Sequence, residues 1–251
     1  MISIIVCSKY EQLATAFTDN VAATVGVEYE LIHIDNSKQT YSIFSAYNEG
    51  VKRSTSPNLC FVHEDVLFLT PDWGKKVAAH LTNPQVGIVG VAGGDVMTPV
   101  PTGWYALNYS MHLVQSNDEG TESEHLLYPV NYAELTRSVV LLDGVLLCMR
   151  KDVFEHIQFD EQLSGFHGYD LDISVQSIVA GYKNFVMYDV LIEHFSKGMF
   201  GWNYYKNLIY ITKKWEEHLP LFESSISQEE QERFMQRKSR WLVRLCKVLV
   251  R

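Results

Sequence analysis

The stretch Asn58-Leu-Cys-Phe-Val-His-Glu-Asp-Val-Leu-Phe68 narrows the fold more than any other part of the chain. Leu59–Val62 is an unbroken apolar run, of the kind that fills a central parallel strand covered on both faces. It ends abruptly in His63, Glu64 and Asp65. In open α/β sheets ligands bind beyond the carboxyl ends of the strands, so an acidic pair there is placed to meet one. A hard divalent cation together with a nucleotide diphosphate suits two such carboxylates. A strand followed by a solvated turn is the plainer reading of the same residues.

The surrounding sequence repeats a strand-helix rhythm. Met1–Cys7 is a β run broken by Ser8-Lys9-Tyr10, and Glu11–Val25 reads as a helix with Leu13, Phe17 and Val21 at helical spacing. Tyr29–Ile34 is a second strand ending in Asp35-Asn36-Ser37, and residues 41–54 are helical in pattern. After the strand at Leu59–Val62 come a helix at Pro71–Leu81 and a β run at Val86–Val91. This alternation predicts an α/β fold with a mostly parallel central sheet and helices on both faces. No Gly-x-Gly-x-x-Gly follows the first strand, so a standard dinucleotide fold is not supported. From Gly93 to about Thr136 the rhythm stops. That stretch, with Trp104, Tyr105, Tyr109 and an acidic run at Asp118–Glu124, reads as a long excursion over the sheet and part of a binding face. Val139–Met149 returns to the sheet, and Arg150–His156 begins a helix.

Composition removes several classes. With 251 residues and 47% hydrophobic content the chain builds a substantial core, and it has no low-complexity tract. Its apolar runs are too short or interrupted to cross a bilayer, and no basic segment precedes the first of them, so neither a membrane span nor a secretory signal is expected. Cys7, Cys60, Cys148 and Cys246 are widely spaced, as reduced thiols of a cytoplasmic protein would be. The net charge of −9 hides an asymmetry: residues 233–251 hold seven basic side chains and no acidic one. The first 232 residues therefore carry a net −16, with 14 basic side chains against 30 acidic, which argues against nucleic acid as a partner.

A second informative segment is Phe159-Asp-Glu-Gln-Leu-Ser-Gly-Phe-His-Gly-Tyr-Asp170-Leu-Asp172. Gly165 and Gly168 shape a loop, and Asp172 is placed to start a helix running to Ala180 and ending at Gly181. Acids at a helix start commonly serve as caps, which is one reading of Asp170 and Asp172. Asn184–Ile192 is a further strand, and Glu193-His194 follows it as Glu64-Asp65 follows its own.

The order of these pieces resembles the family 2 glycosyltransferases with the nucleotide-diphospho-sugar transferase (GT-A) fold, over roughly residues 1–215. Ile2–Tyr10 resembles the opening strand, Asp35-Asn36-Ser37 the Asp-Asp-Gly-Ser signature, and His63-Glu64-Asp65 the Asp-x-Asp region. Gly-Tyr-Asp170-Leu-Asp172 resembles the Glu-Asp-x-Asp motif, and His194 a metal-binding His. The resemblance implies one GT-A domain over 1–215, with 1–92 as the nucleotide-binding half, 93–215 as the acceptor-binding half, and 216–251 as a C-terminal helical extension. It implies an inverting, metal-dependent transferase moving a sugar from a nucleotide-diphosphate donor, UDP favoured, to a glycan or lipid-linked acceptor. Ser8, Asp35 and Glu64 would contact the nucleotide, Asp65 and His194 would bind Mn²⁺ or Mg²⁺, and Asp170 would be the general base. Asp172, Trp104 and Gly144 are further candidates for sugar contacts. Phe195–Asn203 is the expected closing loop. Two departures from the pattern stand out: His63 replaces the first Asp of Asp-x-Asp, and Tyr169 replaces the Glu before Asp170.

Arg233, Arg237, Arg240, Arg244, Lys247 and Arg251 form one helical stripe beside a stripe of Phe234, Trp241, Leu245 and Val248. The expected amphipathic helix suits an anionic membrane surface, packing on the domain, or dimerisation. The first of these would bring a cytoplasmic protein to the inner face of the membrane. Two other functions compete with transfer. A nucleotidyltransferase wants a glycine-rich phosphate loop, and Ser8–Gln12 has no glycine. A non-catalytic nucleotide-sugar or carbohydrate binding protein of the same fold would rely on aromatics such as Trp104 and Trp202.

Overall fold

The structure, a computed structural model, describes residues 1–117, 119–129, 134–196 and 201–237. The first half follows the expected rhythm: β1 (Ile2–Ser8), α1 (Thr15–Thr24), β2 (Tyr29–Asp35), α2 (Ile43–Arg53), β3 (Asn58–Val62), β4 (Val66–Phe68), α3 (Trp73–His80) and β5 (Val86–Gly90). The middle holds β6 (Ala92–Gly94), β7 (Val96–Met97), β8 (Tyr109–Ser116), β9 (Ser123–Tyr128), β10 (Thr136–Val139), β11 (Leu141–Leu142), β12 (Leu146–Arg150) and the short α4 (Lys151–Phe154). The chain continues through α5 (Tyr169–Val179), β13 (Lys183–Met187), β14 (Ile192–His194), α6 (Trp202–Lys214) and β15 (Leu221–Phe222). Residues 228–237 are helical.

The central sheet has strand order β10-β13-β5-β12-β3-β1-β2. β2, β1 and β3 are mutually parallel, β13 is parallel to β5, and β12 lies antiparallel between β3 and β5. β10 runs antiparallel at the edge. The sheet is thus mostly parallel, as expected, with one reversed strand in its middle. Ile2, Ile4, Ile5, Val6, Leu59, Cys60, Phe61 and Val62 are fully buried, each apolar side chain contributing roughly 1.5–3 kcal/mol. α2 carries Ile43, Phe44, Ala46, Tyr47 and Val51 on one buried stripe, and Ser42 caps it by accepting from Ser45 N at 3.2 Å.

Several expectations change in detail. The 93–136 excursion is largely a second sheet, of order β11-β6-β8-β14-β4, with β9 paired to β8. β8 buries Ser110, Met111, His112, Leu113 and Ser116, so a half-buried strand stands where the aromatic and acidic residues suggested a loop. Val139–Met149 is cut at Asp143-Gly144 into strands of different sheets. The strand expected at Asn184–Ile192 divides likewise, β13 staying in the central sheet while β14 joins the second. α5 begins at Tyr169, three residues before Asp172, because Gly168 adopts φ +87° and turns the chain into the helix there.

Asp172 is turned toward α6. It is 1% exposed and accepts from Trp215 Nε1 at 2.8 Å, Lys214 Nζ at 3.0 Å and Gln176 Nε2 at 2.8 Å. Lys214 also binds Asp160 at 2.7 Å. β15 pairs with β7, and Phe234 is 7% exposed with its ring edge-on to Phe222, so the start of the C-terminal segment lies against the body. The rest of the expected amphipathic helix, from 238 onward, lies outside the described residues, as do 197–200 of the expected closing loop. Among the described residues no helix is long and apolar enough to cross a membrane, and Cys7, Cys60 and Cys148 are free.

Two predictions concern stability. Lys214→Met removes the cation from a buried carboxylate and should cost about 3 kcal/mol in denaturant unfolding, with Asp172→Leu added to it restoring part of the loss. Against the cost of burial, hydrogen bonds from Ser3, Thr55 and Ser56 bring the Glu30 carboxyl down to about 2. Its stabilisation is therefore full above its unfolded value of 4.5 and lost as pH falls toward 2. Urea unfolding of Glu30→Gln should show lower stability at pH 7 and a shallower decline across that window.

Candidate active site

The carboxyl ends of β1, β2 and β3 lie side by side. Ser8 is the register partner of Asp35, which brings these two expected nucleotide contacts together. Ser8 is buried, its Oγ accepting from Tyr10 N at 3.0 Å and its carbonyl from Asn36 N at 2.8 Å. Asp35 is exposed, and hydrogen bonds from the Ser37 backbone and side chain hold its carboxyl below the usual range. In the turn after β3, Glu64 buries its Oε2 without a hydrogen-bond partner among the described residues. A buried acceptor left unpaired is costly in a protein that binds nothing there, and a ligand hydroxyl would satisfy it.

Asp65, from the same turn, meets His194 from β14. β14 pairs antiparallel with β4, with His194 opposite Val66, so the two strands carry these side chains to one point. His194 Nε2 lies 3.5 Å from Asp65 Oδ1, and His63 Nδ1 lies 4.0 Å from the same oxygen. Donor atoms of His63, Asp65 and His194 all fall within 4.8 Å of one another. Burial would raise the Asp65 carboxyl, but the hydrogen bond and charge of His194, helped by Ser196 and His63, hold it well below the carboxylate range. Burial and the neighbouring His194 lower His63, favouring its neutral, ligating form. Two imidazole nitrogens and one carboxylate oxygen converging in this way fit a divalent cation.

The third part is a pair of carboxylates at the turn between β11 and β12. Asp170, in the first turn of α5, accepts from Gly144 N at 3.1 Å and Leu171 N at 2.9 Å. Burial, and then the negative charge of Asp143, push its carboxyl up to about 7. Asp143 accepts from Val145 N at 2.9 Å and from Trp104 Nε1 at 3.0 Å. Trp104 is nearly buried and stacks on the exposed Tyr105, ring centroids 3.6 Å apart. Burial, and then the charge of Asp170, push the phenol of Tyr204, from α6, up to about 12.

Tyr169 joins the metal-type cluster to the carboxylates. Its hydroxyl lies 2.7 Å from His63 Nε2 and donates to the Gly144 carbonyl at 3.0 Å. A Cβ on residue 144 would come within 2.1 Å of that hydroxyl, so glycine is required there. The structure therefore gathers Asp65, His194, Asp170 and Gly144, with Trp104 reaching them through Asp143, and leaves Asp172 on the α6 side. Sequence reasoning passed over Asp143 and treated His63 and Tyr169 only as departures. The signal for Asp143 was present, as the one acid inside the apolar stretch 139–149.

The fold has counterparts among solved structures. GalNAc-T7, in a structure with UDP, GalNAc and Mn²⁺, is 11% identical and aligns with a TM-score of 0.60 over 86% of this chain and 49% of its own. S. aureus TarS residues 1–349, in complex with UDP-GlcNAc, is 13% identical, with a TM-score of 0.53 over 82% of this chain and 60% of that one. The mannosyltransferase PcManGT from Pyrobaculum calidifontis, with GDP-Man and Mn²⁺, is 13% identical, with a TM-score of 0.50 over 77% and 56%. This chain spans 49% to 60% of the length of these structures, and at such identities the likeness is one of fold, the GT-A fold. No curated protein is significantly similar in sequence. The family model described as glycosyltransferase-like matches residues 3–232, nearly the whole described chain, and the protein belongs to that glycosyltransferase-like family.

Proposed function

We propose that the protein is an inverting glycosyltransferase that moves a sugar from a nucleotide-diphosphate donor, UDP-linked in the favoured case, to the hydroxyl of a glycan or lipid-linked acceptor. The observation that carries this reading is the meeting, through Tyr169, of the His63–Asp65–His194 donor set with the raised carboxyl of Asp170. The GT-A neighbours were solved with UDP, UDP-GlcNAc or GDP-Man, two of them with Mn²⁺, which supports a nucleotide-sugar donor and a divalent cation here. A lipid-linked acceptor and a membrane contact through residues 233–251 rest on the basic stripe of the sequence.

His63, Asp65 and His194 would hold the cation, and two imidazoles beside a single carboxylate suit Mn²⁺ better than Mg²⁺. When bound, such an ion neutralises the charge that collects on a departing nucleotide diphosphate. The protein's own residues supply the rest. Ser8, Asp35 and the unpaired Oε2 of Glu64 line the edge where nucleoside and ribose would sit. Asp170 accepts the acceptor hydroxyl's proton as that oxygen bonds to the anomeric carbon. The bond to the diphosphate oxygen breaks with its electron pair, and a single displacement inverts the carbon. Trp104 and Tyr105 provide flat apolar faces of the kind on which sugar rings rest.

Calorimetric titration with UDP, GDP and dTDP, each with Mn²⁺ or EDTA, is the direct test. One nucleotide should bind with Mn²⁺ and not with EDTA. Asp65→Ala should weaken this by more than the roughly 10–100-fold that loss of a supporting residue costs. Failure of well-folded protein to bind any nucleotide would overturn the reading. Asp170→Asn should lower kcat about 10²–10⁴-fold with the donor's KM little changed. Because the base works deprotonated, kcat/KM should rise about tenfold per pH unit up to a bend near 7, and that limb should vanish in Asp170→Asn. Nucleotide-sugar binding without turnover would favour the non-catalytic binding protein.

A further inference from the structure

Each imidazole facing Asp65 has its other ring nitrogen committed elsewhere. At His63 the assignment follows from a carbonyl, which only accepts. The Tyr169 hydroxyl gives its one hydrogen to the Gly144 carbonyl at 3.0 Å. Toward His63 Nε2, 2.7 Å away, Tyr169 Oη therefore acts as acceptor, and the proton in that contact belongs to His63. A neutral His63 protonated on Nε2 keeps its lone pair on Nδ1, the atom 4.0 Å from Asp65 Oδ1.

The same logic holds at His194. The side-chain nitrogen of Gln115 lies 3.1, 3.0 and 3.0 Å from the carbonyls of Ser116, His194 and Ser196, which share its two hydrogens. These three carbonyls fix which end of the amide is nitrogen, leaving its oxygen 3.2 Å from His194 Nδ1. That oxygen only accepts, so Nδ1 carries a proton, and a neutral His194 keeps its lone pair on Nε2, the atom 3.5 Å from Asp65 Oδ1 and 3.4 Å from Ser196 Oγ.

We propose that Tyr169 and Gln115 are positioning residues that set His63 as its Nε2–H tautomer and His194 as its Nδ1–H tautomer, so that both lone pairs converge with Asp65 on one divalent cation. This rests on the metal-dependent reading above. The residues come from separate places, Tyr169 from the helix that carries the base and Gln115 from β8 of the second sheet. Both hold their imidazole through a neutral oxygen. They orient the ring without the extra basicity that a carboxylate partner confers. In this light Tyr169, where the resembling family has Glu, fits His63, where that family has Asp: a second carboxylate is exchanged for an imidazole together with the hydroxyl that orients it.

The test reads tautomers and metal affinity separately. Long-range ¹H–¹⁵N NMR of the imidazoles in metal-free protein at pH 8, assigned with His63→Gln and His194→Gln, should show His63 protonated on Nε2 and His194 on Nδ1. Tyr169→Phe, which keeps the ring in the aromatic core, should release the His63 tautomer while leaving that of His194 set. Gln115→Leu should do the reverse. Titration with Mn²⁺ alone, followed by electron paramagnetic resonance, should show each variant weakened roughly 10–100-fold. Opposite or averaged tautomers in the wild-type protein, or Mn²⁺ affinity kept within twofold in both variants, would overturn this inference alone. Wild-type protein that binds no Mn²⁺ would overturn the metal-dependent reading, and this inference with it.

Discussion

Residue 144 has room for no side chain, and the geometry on both sides of it depends on that. The turn it occupies exists because β11 and β12 belong to different sheets, so the chain must cross between them at Asp143-Gly144. At that crossing Gly144 offers its N–H to Asp170 and its carbonyl to Tyr169, and Tyr169 packs so closely that a Cβ would meet its ring. One residue thus holds a carboxylate through its N–H and the Tyr169 hydroxyl through its carbonyl. Backbone groups serve such work well because they are held by the strands on either side and lose no side-chain entropy in doing so.

The two sheets divide the labour. The central sheet supplies the ends of β1, β2 and β3, where rigid parallel strands deliver Ser8, Asp35 and the His63–Asp65 turn to one edge. The second sheet supplies His194 and Gln115, and the loop leading into β8 carries the stacked rings of Trp104 and Tyr105. α5 stands between them. Its first turn faces the site with Tyr169 and Asp170, while Asp172, two residues on, points the other way and anchors α6 through Lys214 and Trp215. The alternation of roles at 170 and 172 follows from helical geometry, in which residues two apart do not share a face.

How much of this could be read from the chain depended on the kind of signal. Leu59–Val62 and Ile2–Val6 are continuous apolar runs, and a buried parallel strand is what such runs make. Tyr109–Ser116 was illegible for the opposite reason: its Tyr, Ser, His and Gln give no clean alternation, because β8 has neighbours along both edges and polar contacts such as Ser116 with Glu193. Asp65, His194 and Asp170 stood out as acids or imidazoles following strands or preceding a helix. Their partners were harder to read. Tyr169 stood out only as a departure from the family pattern, with no role attached, and its ring lies in the core against Phe44, Tyr47 and Phe159. Gln115 carries no motif at all. Such residues act through single hydrogen bonds across 79 and 106 positions of chain, and local pattern holds no record of them.

The run from α5 through β13 to β14 has a consequence for how the site fails. Tyr169, Asp170 and His194 lie within that one stretch, which leaves the central sheet at Met187 and re-enters structure in the second sheet at Ile192. A local opening that detaches it would take away the proposed base, the Tyr169 hydroxyl and the His194 imidazole in a single event, while Ser8, Asp35 and Asp65 kept their places on β1, β2 and the β3–β4 turn. Partial unfolding of this kind is drawn from contiguous units of the fold. On the metal-dependent reading, turnover and nucleotide binding would then fail together: the state left behind would keep Ser8, Asp35 and Asp65 in place while the donor set had lost one of its imidazoles.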